Sequence, residues 1–222
     1  MRKKYCAALL LCMVAFVSCS KNSDSPAPDP VVTRPDYQPG TKGSYWKYKD
    51  SATGDVYTQT VLDSTAVFDN ITYKAIASSG PGGDTRLFYA KLASKYYLHT
   101  SFSIDDTNVP FTLNYLDDSV ATGTSWTTTT NINYSGTAIP VQVKTTILEK
   151  NLTKTVNGKQ YTNIIHSSVV ASFNVLIVNG SITSDYYCAP GLGIIRTEIK
   201  SSGSLPGLPG AQVSELTEYK IQ

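Results

Sequence analysis

Two histidines and a handful of acid pairs are the side chains of this sequence best suited to proton or metal chemistry. His99 lies in Tyr96-Tyr97-Leu98-His99-Thr100 and His166 in Ile164-Ile165-His166-Ser167. Neither has a second histidine or a cysteine at ligand spacing, so no zinc centre is expected. Asp105-Asp106 and Asp117-Asp118 flank the run Thr107 to Leu116. A strand rises about 3.3 Å per residue, which sets the two pairs roughly 33 Å apart, far beyond the roughly 5 to 10 Å of a glycosidase carboxylate pair. Asp105, Asp106 and Asn108 offer hard oxygen ligands to calcium, but no Asp-x-Asp-x-Asp-Gly loop is present, and solvated turn residues are the expectation. A hydrolase would need scattered acids, Glu149 and Glu198 among them, to converge in a cleft. There is no Gly-x-Ser-x-Gly elbow and no dinucleotide fingerprint, and Gly80 to Gly83 lacks the lysine and hydroxyl of a phosphate cradle. No catalytic residue, metal ligand or cofactor is therefore expected, and the chain reads as a non-enzyme.

The thiol of Cys19 is different, because its neighbours give it a specific chemistry. Arg2, Lys3 and Lys4 form a basic start, followed by an apolar run from Cys6 to Val17 that is too short to span a bilayer. The run ends in Phe16-Val17-Ser18-Cys19, which resembles the lipobox of bacterial lipoproteins. The resemblance implies a signal peptide over residues 1–18 and a diacylglyceryl group on Cys19. A thiol is the strongest side-chain nucleophile for accepting that group, and small Ser18 admits the peptidase. One buried acyl chain anchors marginally, at about 0.8 kcal/mol per methylene, whereas two or three hold a protein at the membrane almost permanently. The palmitate-type anchor implies a cell-envelope location, on the outer membrane and either periplasmic or surface-exposed.

Removing residues 1–18 takes three cations and no acid, so the formal charge moves from +2 to −1. That balance offers nothing to a nucleic acid. With Cys19 committed to lipid, Cys188 stands alone and no intramolecular disulfide is available. Residues 19–40 are rich in Pro, Ser and Asp and read as a linker, and residues 41–222 read as one domain. The linker's opening, Ser20-Lys21-Asn22-Ser23-Asp24-Ser25, resembles the surface-export signals of Bacteroidota-type lipoproteins, with a single acid where several are usual.

Positioning in that domain falls to strands. Ser44 to Tyr48, Val56 to Val61, Arg86 to Ala90 and Val141 to Ile147 alternate in period two and favour β-branched and aromatic residues. Ser79 to Asp84, Asn157-Gly158 and Asn179-Gly180 read as hairpin turns. The segment Asp185 to Glu198 reads as strand, Pro-Gly turn and returning strand, resembling the ending of many small β-rich lipoproteins. Leu205 to Gly210 reads as a loop before a last strand near Val213 to Ile221. The expected fold is all-β and antiparallel, a sandwich or a curved half-barrel. A faint duplication runs through it: Gly43-Ser44-Tyr45-Trp46 recurs as Gly123-Thr124-Ser125-Trp126, and Tyr73-Lys74-Ala75-Ile76 as Tyr161-Thr162-Asn163-Ile164.

Fifteen tyrosines give this β-rich chain its character. Tyr45, Trp46, Trp126, Tyr186 and Tyr187 are candidate binding residues, since aromatic-lined sheets hold sugars by stacking and lipids by burial; core packing is the competing role. Tyr48, Tyr57, Tyr89, Tyr96 and Tyr97 share that ambiguity. The expected function is a membrane-anchored binding module for a lipid-like, glycan or protein partner, with a structural component of an envelope complex or, behind it, a carboxylate-based glycan hydrolase as the alternatives. The anchor is directly testable. The native protein should carry the mass of two or three acyl chains and sediment with membranes, and Cys19→Ser should abolish both; cleavage without added mass would refute lipidation.

Overall fold

The computed structural model describes residues 35–104, 107–134, 137–175, 178–203 and 210–222. Cys19, the signal peptide, Asp105, Asp106 and most of the Leu205 to Gly210 loop lie outside them. Twelve strands follow one another: β1 (Tyr45–Asp50), β2 (Val56–Phe68), β3 (Ile71–Gly80), β4 (Gly83–Leu92), β5 (Lys95–Ile104), β6 (Thr107–Asp117), β7 (Ser125–Tyr134), β8 (Thr137–Val156), β9 (Lys159–Val175), β10 (Val178–Ala189), β11 (Gly193–Gly203) and β12 (Gln212–Lys220). All pairings are antiparallel, in a single sheet of order β6-β5-β4-β3-β2-β1-β12-β11-β10-β9-β8-β7. The sheet curls into a nearly closed barrel, which resolves the choice between sandwich and half-barrel in favour of one curved sheet.

Side-chain alternation assigns the two faces. In β1, Trp46 and Tyr48 point inward and are buried while Tyr45 and Lys47 point out. In β10, Tyr186 and Cys188 face the interior and Tyr187 the outside. The two edge strands, β6 and β7, face each other without a ladder. The seam is instead bridged by side chains: Thr145 Oγ1 donates to the Asn114 carbonyl at 2.9 Å, and Lys150 Nζ donates to the carbonyls of Asp118 and Val120 at 2.9 and 3.1 Å. Asn114 lies on β6 and Asp118 and Val120 in the connection that follows it, so these bonds tie β8 to the β6 side of the seam.

The two halves, β1–β6 and β7–β12, begin identically. Gly43 (φ 82°) donates to the Val61 carbonyl, Ser44 N–H to Thr41, and Val61 N–H to Ser44. Gly123 (φ 86°) donates to Ile147, Thr124 to Ala121, and Ile147 to Thr124. The next hairpin is turned by Asp69-Asn70 in one half and Asn157-Gly158 in the other, each with two consecutive positive φ angles, the conformation that matches strand twist. Tyr73 and Tyr161 stand at the same place after those turns. The sequence echo is thus a repeated architecture.

Two sequence expectations need correction. Asn179-Gly180 is no turn: both residues sit within β10, where Asn179 pairs with Asn174 and Gly180 with Phe173 and Gly203. Glycine is required there by packing, because a Cβ on Gly180 would lie 2.6 Å from the Phe173 ring and 2.9 Å from the Ser202 carbonyl. Further, the compact unit begins at Pro35, so residues 35–40, assigned by composition to the linker, are packed parts of the domain. The Ser79 to Asp84 turn, the Asn157-Gly158 turn and the Pro190-Gly191 hairpin stand where expected.

The glycine pair where β10 begins and β11 ends yields a sharp test. A Cβ on Gly203 would fall 2.3 Å from the Asn179 carbonyl oxygen, at a φ of 128°. Gly203→Ala is expected to destabilise the fold by about 1–3 kcal/mol, the range for a strained backbone conformation, read as a lowered midpoint in urea denaturation. An unchanged midpoint would show that the strands open there at no cost.

Candidate functional site

One end of the barrel is filled. Residues 35–40 cross it as a strap: Gly191 N–H donates to the Asp36 carbonyl at 2.7 Å, Tyr37 N–H to Tyr96 Oη at 3.2 Å, and Tyr37 Oη to the Asn163 carbonyl at 3.3 Å. Tyr96 Oη in turn donates to the Asp118 carboxylate at 3.0 Å, and Tyr115 Oη to Gln38 Oε1 at 3.3 Å. Inside the strap, Trp46 Nε1 donates to the Leu192 carbonyl at 2.6 Å and Tyr48 Oη to that of Ile194 at 2.9 Å, reaching past β12 to the β10–β11 turn and to β11. The Tyr37, Tyr48, Tyr96 and Tyr115 hydroxyls thus each have an oxygen acceptor, which offsets the cost of taking them out of water.

Tyr115 is fully buried, with Tyr89 and Tyr186 packed on it at ring-centroid distances of 6.3 and 5.3 Å. Burial pushes all three phenols up from their ordinary range, Tyr186 to about 12. They stay protonated at any physiological pH. Cys188 lies among them, fully buried, and burial pushes its thiol up as well, which disfavours the thiolate that a nucleophile or metal ligand needs.

Above this tyrosine layer the barrel is open. A cavity of about 640 Å³ runs from Tyr48, Tyr89 and Tyr186 to a mouth at the opposite end, and all twelve strands contribute to its wall. Leu87, Leu98, Leu113, Val143, Val169 and Ile182 represent its apolar lining. From Gly83 at the mouth to Tyr89 at the floor is six residues of β4, roughly 20 Å along the strand. Asp50 and Asp55 are the charged side chains among the described lining residues, and the Asp50 carboxylate already accepts the N–H groups of Ala52 and Thr53 at 2.8 and 3.0 Å.

The five aromatic candidates are divided by the fold. Tyr186 lines the cavity. Trp46 is buried in the closed end, and Trp126 is half-buried against the core. Tyr45 and Tyr187 are on the outer face, where Tyr45 Oη donates to Glu218 at 2.6 Å and the Tyr187 ring stacks on His166 at 4.2 Å. The cavity tyrosines Tyr48, Tyr57 and Tyr89 belong to the wider tyrosine set, whereas the leucines and valines of the wall carry no signal in the sequence beyond strand alternation.

The histidines and the remaining acid candidates of the sequence lie outside the cavity. His166 is buried on the outer face of the sheet, between Glu149 at 3.1 Å and Asp185 at 3.6 Å, and Glu198 pairs with Arg196 at 2.8 Å. Arg196 also pairs with Glu215. These groups form a cross-strand row, Glu149, His166, Tyr187, Arg196 and Glu215, running over five neighbouring strands. Asp117 caps its own turn through Ser119 at 2.6 Å. No group of three His, Cys, Asp or Glu side chains among the described residues is placed to hold a metal. His99 stacks on Phe68 at 3.7 Å and shares a 2.8 Å hydrogen bond with Thr112 Oγ1.

No family model matches this sequence, and no curated protein does. Two solved structures share the fold. The crystal structure of a protein described as a "putative lipoprotein" from Parabacteroides distasonis aligns with a TM-score of 0.51 at 11% identity, over 84% of this chain and 99% of that one. That of a "putative exported protein with YmcC-like fold" from Bacteroides fragilis aligns with a TM-score of 0.51 at 10% identity, over 84% of this chain and 100% of that one. At such identities the likeness is one of fold.

Burial lowers the pKa of His99, against a smaller opposing pull from Asp69. The folded state then binds fewer protons than the unfolded chain, whose imidazole titrates near about 6.5. Stability carried by neutral His99 is present above that pH and lost as pH falls through the lower folded value. His99→Phe, which keeps the stack on Phe68, should flatten the melting-temperature profile just below about pH 6.5 relative to the parent. Parallel profiles would show that His99 contributes nothing to acid sensitivity.

Proposed function

We propose that this chain is a membrane-anchored lipoprotein of the cell envelope whose barrel holds an apolar, lipid-like ligand without altering it chemically. The observation that carries the reading is the open cavity of about 640 Å³, within the range of small-molecule sites and walled by aliphatic and aromatic side chains. The lipobox-like segment at Cys19 supports the anchor, and an outer-membrane site facing the periplasm or the cell surface accords with it. The descriptions of the two similar structures, a lipoprotein and an exported protein, point the same way.

A glycan or protein partner would instead use the outer face, but there Tyr187 is already stacked on His166 and covered by Lys154 at 4.1 Å, and Tyr45 is bonded to Glu218. Carboxylate hydrolysis finds little support as well: Glu149 and Glu198 are outside the cavity, each beside a basic side chain, and neither tryptophan lines the cavity.

Ala171 projects into the cavity from β9. Ala171→Trp is expected to reduce binding of an apolar fluorescent probe at least tenfold while leaving the thermal midpoint within a few degrees. Tyr187→Ala, on the outer face, should leave probe binding unchanged. The reverse pattern in the pair would move the binding site to the outside of the sheet.

A further inference from the structure

The wall that makes the cavity suitable for an acyl chain also discriminates among the groups that an acyl chain can carry. Among its described lining residues there is no lysine, arginine or histidine. Its polar members are neutral, with Gln59, Thr85, Thr100, Thr130, Gln212 and Ser214 set toward the mouth, and its charged members are the two acids Asp50 and Asp55. At the floor the polar groups are phenols, and the Tyr48 hydroxyl is already given to the Ile194 carbonyl.

An anionic head drawn to this mouth would lose hydration, find no cation to pair with, and face two carboxylates of its own sign. Hydroxyl and amide side chains, by contrast, both donate and accept, and a carboxylate accepts readily from a hydroxyl. Asp55 is available for that, since Asp50 is taken by the turn that it caps. The cavity's depth of roughly 20 Å along the strand accommodates a long chain while leaving the head among these groups.

We infer that the cavity selects acyl lipids with an uncharged, hydroxyl-bearing head, such as a glycerol or sugar ester, over fatty-acid anions and anionic phospholipids. This rests on the lipid-carrier reading above, and the two can fail separately.

The test is displacement of an apolar fluorescent probe from the purified full-length protein at neutral pH, by mono-oleoyl glycerol and by oleate, in the parent and in Gln212→Lys. The expected result is that mono-oleoyl glycerol displaces the probe at least tenfold more tightly than oleate, about 1.4 kcal/mol, and that the added cation of Gln212→Lys narrows the gap by strengthening oleate. If both lipids displace the probe and oleate is equal or tighter, the head-group selectivity is overturned while the carrier reading stands. If neither lipid displaces the probe from folded protein, the carrier reading fails and takes the selectivity with it. Unchanged discrimination in Gln212→Lys, with its fold intact by circular dichroism, would overturn the assignment of the head to the mouth.

Discussion

A barrel wall of twelve strands encloses more width than its own side chains can fill. Eight strands give an interior that side chains just close, and the diameter grows with each strand added. This surplus of width governs the rest of the molecule. Something other than ordinary aliphatic packing has to occupy the middle, or the middle stays empty. The chain does both, at opposite ends. Tyrosines and tryptophan, the longest apolar side chains that also carry a polar tip, reach across one end, and the other is left as a cavity.

Long aromatic residues suit the closed end because their polar tips reach backbone carbonyls across it. Trp46 and Tyr48 reach Leu192 and Ile194, and Tyr37 reaches Asn163. The strap over residues 35–40 adds the missing cross-section, supplying both an aromatic ring and backbone donors and acceptors. At the seam between β6 and β7 no ladder forms, and Thr145 and Lys150 of β8 reach carbonyls of β6 and of the connection after it. Curvature, closure and cavity are thus three results of one count of strands.

The strands themselves were legible in the sequence, because alternation and β-branched residues state the period directly. So was the Asn157-Gly158 turn, whose residue types tolerate two positive φ angles. Asn179-Gly180 has the same letters and a different cause: its glycine answers the Phe173 ring across the ladder, a contact between residues of neighbouring strands that no local pattern encodes. The aromatic doublets Tyr45-Trp46 and Tyr186-Tyr187 were legible only halfway. Period two guarantees that adjacent rings face opposite sides, so neither doublet can form a single binding surface, yet which ring goes inward depends on the partner strands. The cavity was not legible at all, since valines and leucines around an empty barrel look the same in sequence as those around a full one.

The ladder between β1 and β12 joins the two repeated halves. Every other pairing connects strands adjacent in the chain, through hairpins whose ends meet after a few residues. Tyr45 and Lys220, by contrast, are 175 positions apart. The closing entropy of so large a loop comes due before its contacts repay it, whereas hairpins form on the microsecond scale. The order of events in folding is therefore expected to follow the halves: two local meanders collapse early, and the molecule waits on one long-range encounter of its first and last strands to become whole.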